Sequence, residues 1–199
     1  MIDLFPKDPK KIRARIRRYE RALRKEYEET GFYSDGYGKR FLLGPLYLLM
    51  DDLEGALRSF AWYEETFPDD GGDPMQLLCW TLALYRSGDL EAAAQKLRRA
   101  MFSNLYLIPR LLGLEQEELD IWHGSNIAEL IHVEAIPPEL FALWDEPALE
   151  WVRGTYNAPD FCQVRERYIA IHRALQTEPR GPKRTQLVNE AFELRYNPR

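Results

Sequence analysis

A chain of 199 residues that is 45% hydrophobic, 13% aromatic and 30% charged can bury a full core, which excludes an intrinsically disordered protein. It has no apolar run near the roughly 18 residues that span a membrane, and its N-terminus lacks the organisation of a signal peptide. Two cysteines, Cys79 and Cys162, stand far apart in apolar surroundings and are expected to be buried free thiols. These features predict a single cytoplasmic domain over 1–199.

The first predicted element is a helix over 8–30 with two contrasting faces. Its apolar stripe consists of Ile12, Ile16, Tyr19, Leu23 and Tyr27. Residues 7–25 carry ten Lys or Arg against two acids, a local charge of +8, so the rest of the chain must carry −13 to give the net −5. The basic face, represented by Arg13, Arg17 and Arg24, allows two interpretations. The preferred one is a docking helix with a solvated face, and the alternative is a binder of nucleic acid or another anionic partner.

The remaining pattern is helical throughout, without alternating strand segments or hairpin signals. Four helices are predicted over 39–50, 53–67, 74–87 and 90–103, and 104–113 is expected to be a proline-containing link. Asp51-Asp52 and Gly88-Asp89 mark turns, where Asp can cap the following helix. Asn126 with Glu129 resembles a capping box. Further helices are predicted over about 126–135, 137–144, 147–156, 160–177 and from 182 onward.

Two of these helical pairs repeat each other at a spacing of 37 residues. Asp52-Leu53-Glu54-Gly55-Ala56 corresponds to Asp89-Leu90-Glu91-Ala92-Ala93, and Phe60 corresponds to Leu97. A period of this size is typical of stacked helical repeats. Small residues at such positions let two helices cross closely.

The first copy resembles the tetratricopeptide pattern through Leu43-Gly44-x2-Tyr47, then Ala56-x3-Phe60, then Pro68. The resemblance covers about residues 36–105, with a degenerate second copy. It implies an all-α fold in which antiparallel helix pairs stack into a short right-handed superhelix. The basic helix 8–30 and a helical extension over 106–199 would flank the two repeats.

By the same resemblance, the first helix of each repeat faces a concave binding groove. The corresponding positions are apolar apart from one arginine, and they are Phe41, Pro45, Leu48, Leu78, Leu82, Tyr85 and Arg86. The family's clamps for peptide carboxylates need Lys, Asn and Arg in this groove, so that specialised function is not expected. The resemblance instead implies a scaffold that binds a protein or peptide partner.

Residues that could support catalysis or metal binding are sparse. The three histidines, His123, His132 and His172, lack metal-ligand spacing, and His172 on an apolar face is expected to be a core histidine. The segment Trp122–Asn126 holds a His and a Ser without a nucleophile motif. We therefore predict a non-enzymatic protein without catalytic residues, metal or cofactor. The tryptophans are expected to belong mainly to the core, and they are Trp62, Trp80, Trp122, Trp144 and Trp151.

Overall fold

The computed structural model describes residues 4–196, and this part of the chain is all helical. A 3₁₀ turn, Asn126–Ala128, precedes α7. The helices are α1 Pro9–Thr30, α2 Lys39–Leu48, α3 Leu53–Thr66, α4 Pro74–Ser87, α5 Leu90–Ser103, α6 Leu107–Leu111, α7 Leu130–Glu134, α8 Pro138–Phe141, α9 Glu146–Tyr156, α10 Pro159–Thr177 and α11 Pro182–Tyr196. None of them is both long enough and apolar enough to cross a membrane.

These helices form two compact units. The N-terminal unit runs up to Ala93 and includes Pro137–Leu143, whereas the C-terminal unit holds Ala94–Ile136 and the chain from Trp144 onward. The boundary falls within α5, a division for which the sequence gives no local signal.

In the N-terminal unit, α1 docks on α2 through its apolar stripe. Ile12, Ile16, Tyr19 and Leu23 are buried, while Tyr27, one turn further on, is half exposed. Asp8 caps the helix, because its carboxylate accepts a hydrogen bond from the Lys10 backbone N–H at 2.8 Å. The basic face is therefore carried by a helix that is anchored from the other side.

The close crossing of α2 and α3 depends on Gly44. A methyl group at this position would bring Cβ within 2.8 Å of three ring carbons of Phe60, a side chain that is itself buried. The Phe60 ring stacks on Trp80 of α4 with centroids 5.2 Å apart. Ala56 is fully buried, and Asp52 caps α3 by accepting from the Gly55 N–H at 2.8 Å. The small residues and the cap expected at this turn are thus confirmed.

The acidic connection between α3 and α4 is a structural loop rather than a freely solvated turn. Asp70 accepts two hydrogen bonds from the Arg40 guanidinium at 3.0 and 2.9 Å. Asp35, which is buried, accepts from the backbone N–H groups of Lys39 and Arg40 at the start of α2. Asp73 caps α4 through the Met75 N–H at 2.9 Å.

In the C-terminal unit, two predicted features differ from the structure. The expected link over 104–113 contains the short helix α6, and Asn126 begins a 3₁₀ turn without a side-chain cap instead of a capping box. The buried Asn104 amide explains the second difference, because it donates to the carbonyls of Ile127 and Glu129 at 2.8 and 3.0 Å. These bonds hold Glu129 in an extended conformation, so α7 begins only at Leu130.

The two long C-terminal helices, α10 and α11, pack against each other. The apolar face predicted on α10 is largely buried, at Phe161, Tyr168, Ile171, His172 and Leu175. An ion pair between Arg167 and Glu190 joins the two helices, with N–O distances of 2.6 and 2.7 Å. Both cysteines are free thiols, Cys79 being buried and Cys162 half buried.

Candidate functional site

The residues expected to line a tetratricopeptide groove lie mostly in the interior. Pro45, Leu48, Leu78 and Leu82 are all buried, since α2 packs directly against α4. Phe41 and Tyr85 are only partly exposed, and the Phe41 ring packs beside Tyr63 with centroids 5.8 Å apart. Arg86 is exposed and donates to the Leu143 carbonyl at 2.6 Å. This face of α2 and α4 offers little open apolar surface.

The arginines of the basic helix face are exposed and available. Arg13, Arg17 and Arg24 all lie on the solvent side of α1. Within residues 4–196, none of the three takes part in an ion pair or a side-chain hydrogen bond. Each borders one of two clefts that run between α1 and the α2–α3 pair.

The first of these, which we call the aromatic cleft, has a volume of about 340 Å³. Three aromatic rings form one wall: Tyr27 stacks on Tyr33 at 4.9 Å, and Tyr33 meets the Trp62 ring edge-on at 5.4 Å. Its mouth carries Arg24 and Arg58. The full lining is Glu20, Leu23, Arg24, Tyr27, Tyr33, Leu43, Tyr47, Gly55, Arg58, Ser59 and Trp62.

The second, which we call the arginine cleft, has a volume of about 330 Å³ and continues along α1 toward its N-terminus. It is bordered by Arg13, Arg17, Ile16, Met50 and Asp52, and it shares the wall residues Glu20 and Tyr47 with the aromatic cleft. From Arg13 to Tyr27 the helix rises about 21 Å at 1.5 Å per residue. That length matches six or seven residues of extended peptide.

The acidic groups beside the clefts are occupied, in contrast to the arginines. Tyr47 donates its hydroxyl proton to the Glu20 carboxylate. Burial raises the pKa of Tyr47, and its bond to Glu20 raises it further, so the phenol stays protonated and holds that carboxylate. Asp52 caps α3, and Arg58 pairs with Glu54 across one exposed helical turn. The linings of the two clefts together hold four arginines against two carboxylates, so their net charge is positive.

A buried hydroxyl also belongs to the aromatic cleft. Ser59 is buried and lines this cleft, and its Oγ has no hydrogen-bond partner among the described residues. A polar group of a bound ligand could satisfy it, since buried hydroxyls in proteins are nearly always hydrogen-bonded.

The sequence predicts the arginines of this site but not its aromatic wall. Tyr33 lies in the loop before α2, and Trp62, which is expected in the core, lines the aromatic cleft instead. Of the other tryptophans, Trp80 and Trp144 are buried as expected, whereas Trp122 is 40% exposed. A signal for Trp62 existed in its position on the opposite side of α3 from Phe60, two residues away on a helix.

The histidines lie in the C-terminal unit. His172 is buried on α10, and His123 accepts or donates a hydrogen bond with the Tyr106 hydroxyl at 2.8 Å. Among residues 4–196, no group of three or more His, Cys, Asp or Glu side chains is arranged to hold a metal ion.

Comparisons of the chain with protein-family models, with curated proteins and with solved structures give no match.

Proposed function

We propose that this chain is a non-enzymatic, tetratricopeptide-like scaffold that binds an acidic peptide segment of a partner protein along α1. The observation that carries the proposal is a set of exposed arginines, Arg13, Arg17 and Arg24, that border two clefts and form no ion pair within residues 4–196. A bound peptide would place an apolar side chain in the aromatic cleft and its carboxylates beside the arginines.

The tetratricopeptide-like part of the proposal is supported by packing at the repeated positions. Ala56 and Ala93, which correspond across the 37-residue repeat, are both fully buried. Phe60 and Leu97 are likewise buried. Equivalent burial at equivalent positions is what a stacked repeat requires, because each pair must bury its apolar face against a neighbour.

A peptide fits the clefts better than a nucleic acid does. Single-stranded nucleic acid carries a phosphate on every nucleotide, so it could not avoid the Glu20 and Asp52 carboxylates in the cleft walls. Base stacking also needs a free aromatic face. Tyr33 stacks on Tyr27 and contacts the edge of Trp62, so this wall is already engaged. A peptide can insert an uncharged side chain between its charged ones.

Fluorescence anisotropy with a labelled heptapeptide tests the proposal. The probe has a central Leu between two runs of three Asp, and an otherwise identical peptide with Asn in place of Asp serves as the uncharged control. Each exposed ion pair contributes about 0.2–1 kcal/mol. The combined substitution Arg13→Ala, Arg17→Ala and Arg24→Ala should therefore weaken binding about threefold or more.

A matched variant on the same helix distinguishes binding at the clefts from general attraction to a positively charged helix. Lys11→Ala, Arg18→Ala and Lys25→Ala remove the same charge from exposed positions that line neither cleft. This variant should lose at most about twofold in affinity. Equal losses of affinity in both variants would show that binding depends on general electrostatic attraction and not on the clefts. Tighter binding of a labelled single-stranded oligonucleotide than of the peptide, lost with the cleft arginines, would favour a nucleic-acid binder.

A further inference from the structure

The C-terminal unit contains a separate cavity with a volume of about 260 Å³. It lies between α10, α11, the C-terminal end of α5 and the loop at residues 122–125. Its walls are mainly aromatic and aliphatic, formed by Phe102, Trp122, Tyr168, Leu175, Val188 and Phe192. The apolar side chains of α11 are not fully covered here, since Val188 remains 41% exposed and Phe192 56% exposed.

His172 lines this cavity and has an unused hydrogen-bond acceptor, Nε2. Its Nδ1 lies 2.6 Å from the Trp122 carbonyl oxygen, which can only accept, so Nδ1 carries the proton. In the neutral ring Nε2 then holds a lone pair. Burial lowers the pKa of His172, which keeps the ring neutral near pH 7. Nε2 is buried and has no hydrogen-bond partner within the described part of the chain.

Two other polar groups of the wall are already satisfied, and the Arg195 guanidinium brings further donors rather than an acceptor. The Tyr168 hydroxyl donates to the Phe102 carbonyl at 3.2 Å, and Ser103 Oγ donates to the Ala100 carbonyl at 2.7 Å. Two rings hold the imidazole in place, because His172 stacks with Trp122 at 5.8 Å and packs on Tyr168 at 4.2 Å. A fixed acceptor in a cavity with mainly apolar walls favours a largely apolar ligand that has one hydrogen-bond donor.

We propose that this cavity binds a small, neutral aromatic molecule whose single hydroxyl or N–H group donates a hydrogen bond to His172 Nε2. A cavity of about 150 Å³ can hold benzene in another protein, so 260 Å³ accommodates one substituted ring. The aromatic walls suit the faces and edges of such a ring. This site is independent of the clefts along α1 in the N-terminal unit.

The test compares two molecules of nearly the same shape, p-cresol and 4-methylanisole, by isothermal titration calorimetry on the full chain. Only p-cresol has a hydroxyl proton to donate. Because a buried hydrogen bond contributes modestly in net terms, we expect p-cresol to bind roughly three- to tenfold more tightly. In His172→Phe, which keeps an aromatic ring but lacks the acceptor, this preference should disappear. His132→Phe, the same exchange on α7, should retain it.

A second measurement on the unmodified chain guards against misfolding of the variant. The ¹⁵N resonance of His172 Nε2 should shift when p-cresol is added and stay unchanged with 4-methylanisole. Equal affinity for the two compounds would show an apolar cavity without a functional acceptor and would overturn the proposal. Failure of both to bind up to their solubility limits would overturn it as well.

Discussion

Replacement of Gly44 by alanine tests the close crossing of α2 and α3. The added Cβ would lie within 2.8 Å of three Phe60 ring carbons, so even the farthest of them is 0.6 Å inside an ordinary contact of 3.4 Å. The Phe60 ring cannot retreat freely, since it is buried and stacks on Trp80 at 5.2 Å. Overpacking of this kind costs about 1–3 kcal/mol.

An opposing effect must be subtracted from this cost. Glycine inside a helix is less favourable than alanine by about 0.5–1 kcal/mol, so the exchange also brings a gain. The central values, about 2 kcal/mol of cost and about 0.75 kcal/mol of gain, leave a net loss of about 1.25 kcal/mol for Gly44→Ala. Gly154→Ala is the matched control, because Gly154 lies within α9 and a Cβ there meets nothing within 4 Å. That variant should gain about 0.5–1 kcal/mol.

Urea denaturation followed by circular dichroism and tryptophan fluorescence measures both variants. Opposite shifts of the two midpoints, at similar slopes, are expected. Phe60→Leu should lower the free energy of unfolding less in the Gly44→Ala background than in the wild type. The two losses should differ by at least about 0.5 kcal/mol, which is the coupling energy of the two positions. An unchanged or raised midpoint for Gly44→Ala would refute the crossing, and with it the packing argument for the repeat.

Three further predictions concern buried polar and ionisable groups. Gln76 is fully buried with both amide atoms lacking partners in the described residues, so Gln76→Met should raise stability by about 1–3 kcal/mol in urea denaturation. The exposed control Gln95→Met should stay within about 0.5 kcal/mol. Burial lowers the pKa of His172, so below about pH 6.5 the unfolded chain binds the extra proton and stability falls by up to about 1.4 kcal/mol per pH unit. The pH dependence of the urea midpoint should therefore be shallower in His172→Phe, and identical profiles would contradict the assignment. Burial raises the pKa of the Cys79 thiol, so a disulfide reagent should modify Cys162 in the native protein well before Cys79. Equal rates, or Cys79 reacting first, would show that α4 is accessible.

The helices could be predicted largely from local chemistry. Periodic apolar residues located α1 and α10, and Asp8 and Asp52 mark helix starts by capping, an interaction between neighbours in sequence. Where a residue distant in sequence intervenes, the prediction fails. The Asn104 amide binds the carbonyls of Ile127 and Glu129, and no local pattern around 126–135 could reveal that.

The candidate site was only partly predictable for the same reason. The sequence alone identifies Arg13, Arg17 and Arg24 as one basic face, because their spacing places them on the same side of a helix. Their clefts require α1, the loop carrying Tyr33 and α3 carrying Trp62 to meet, and that depends on tertiary packing. Leu48, Leu78 and Leu82, which are expected to line the groove, are buried, and α2 contacts α4, a tertiary contact that neither helix reveals by itself.

The central claim, that an acidic peptide lies along α1, is tested most directly by mapping its binding position with nuclear magnetic resonance. The isotope-labelled full chain would be titrated with the heptapeptide of one Leu and six Asp. The account predicts that the Trp62 indole N–H and the amides around Arg17, Arg24 and Tyr33 shift together and saturate at one equivalent. Shifts confined to residues outside the two clefts, or no saturable shifts at all, would contradict it.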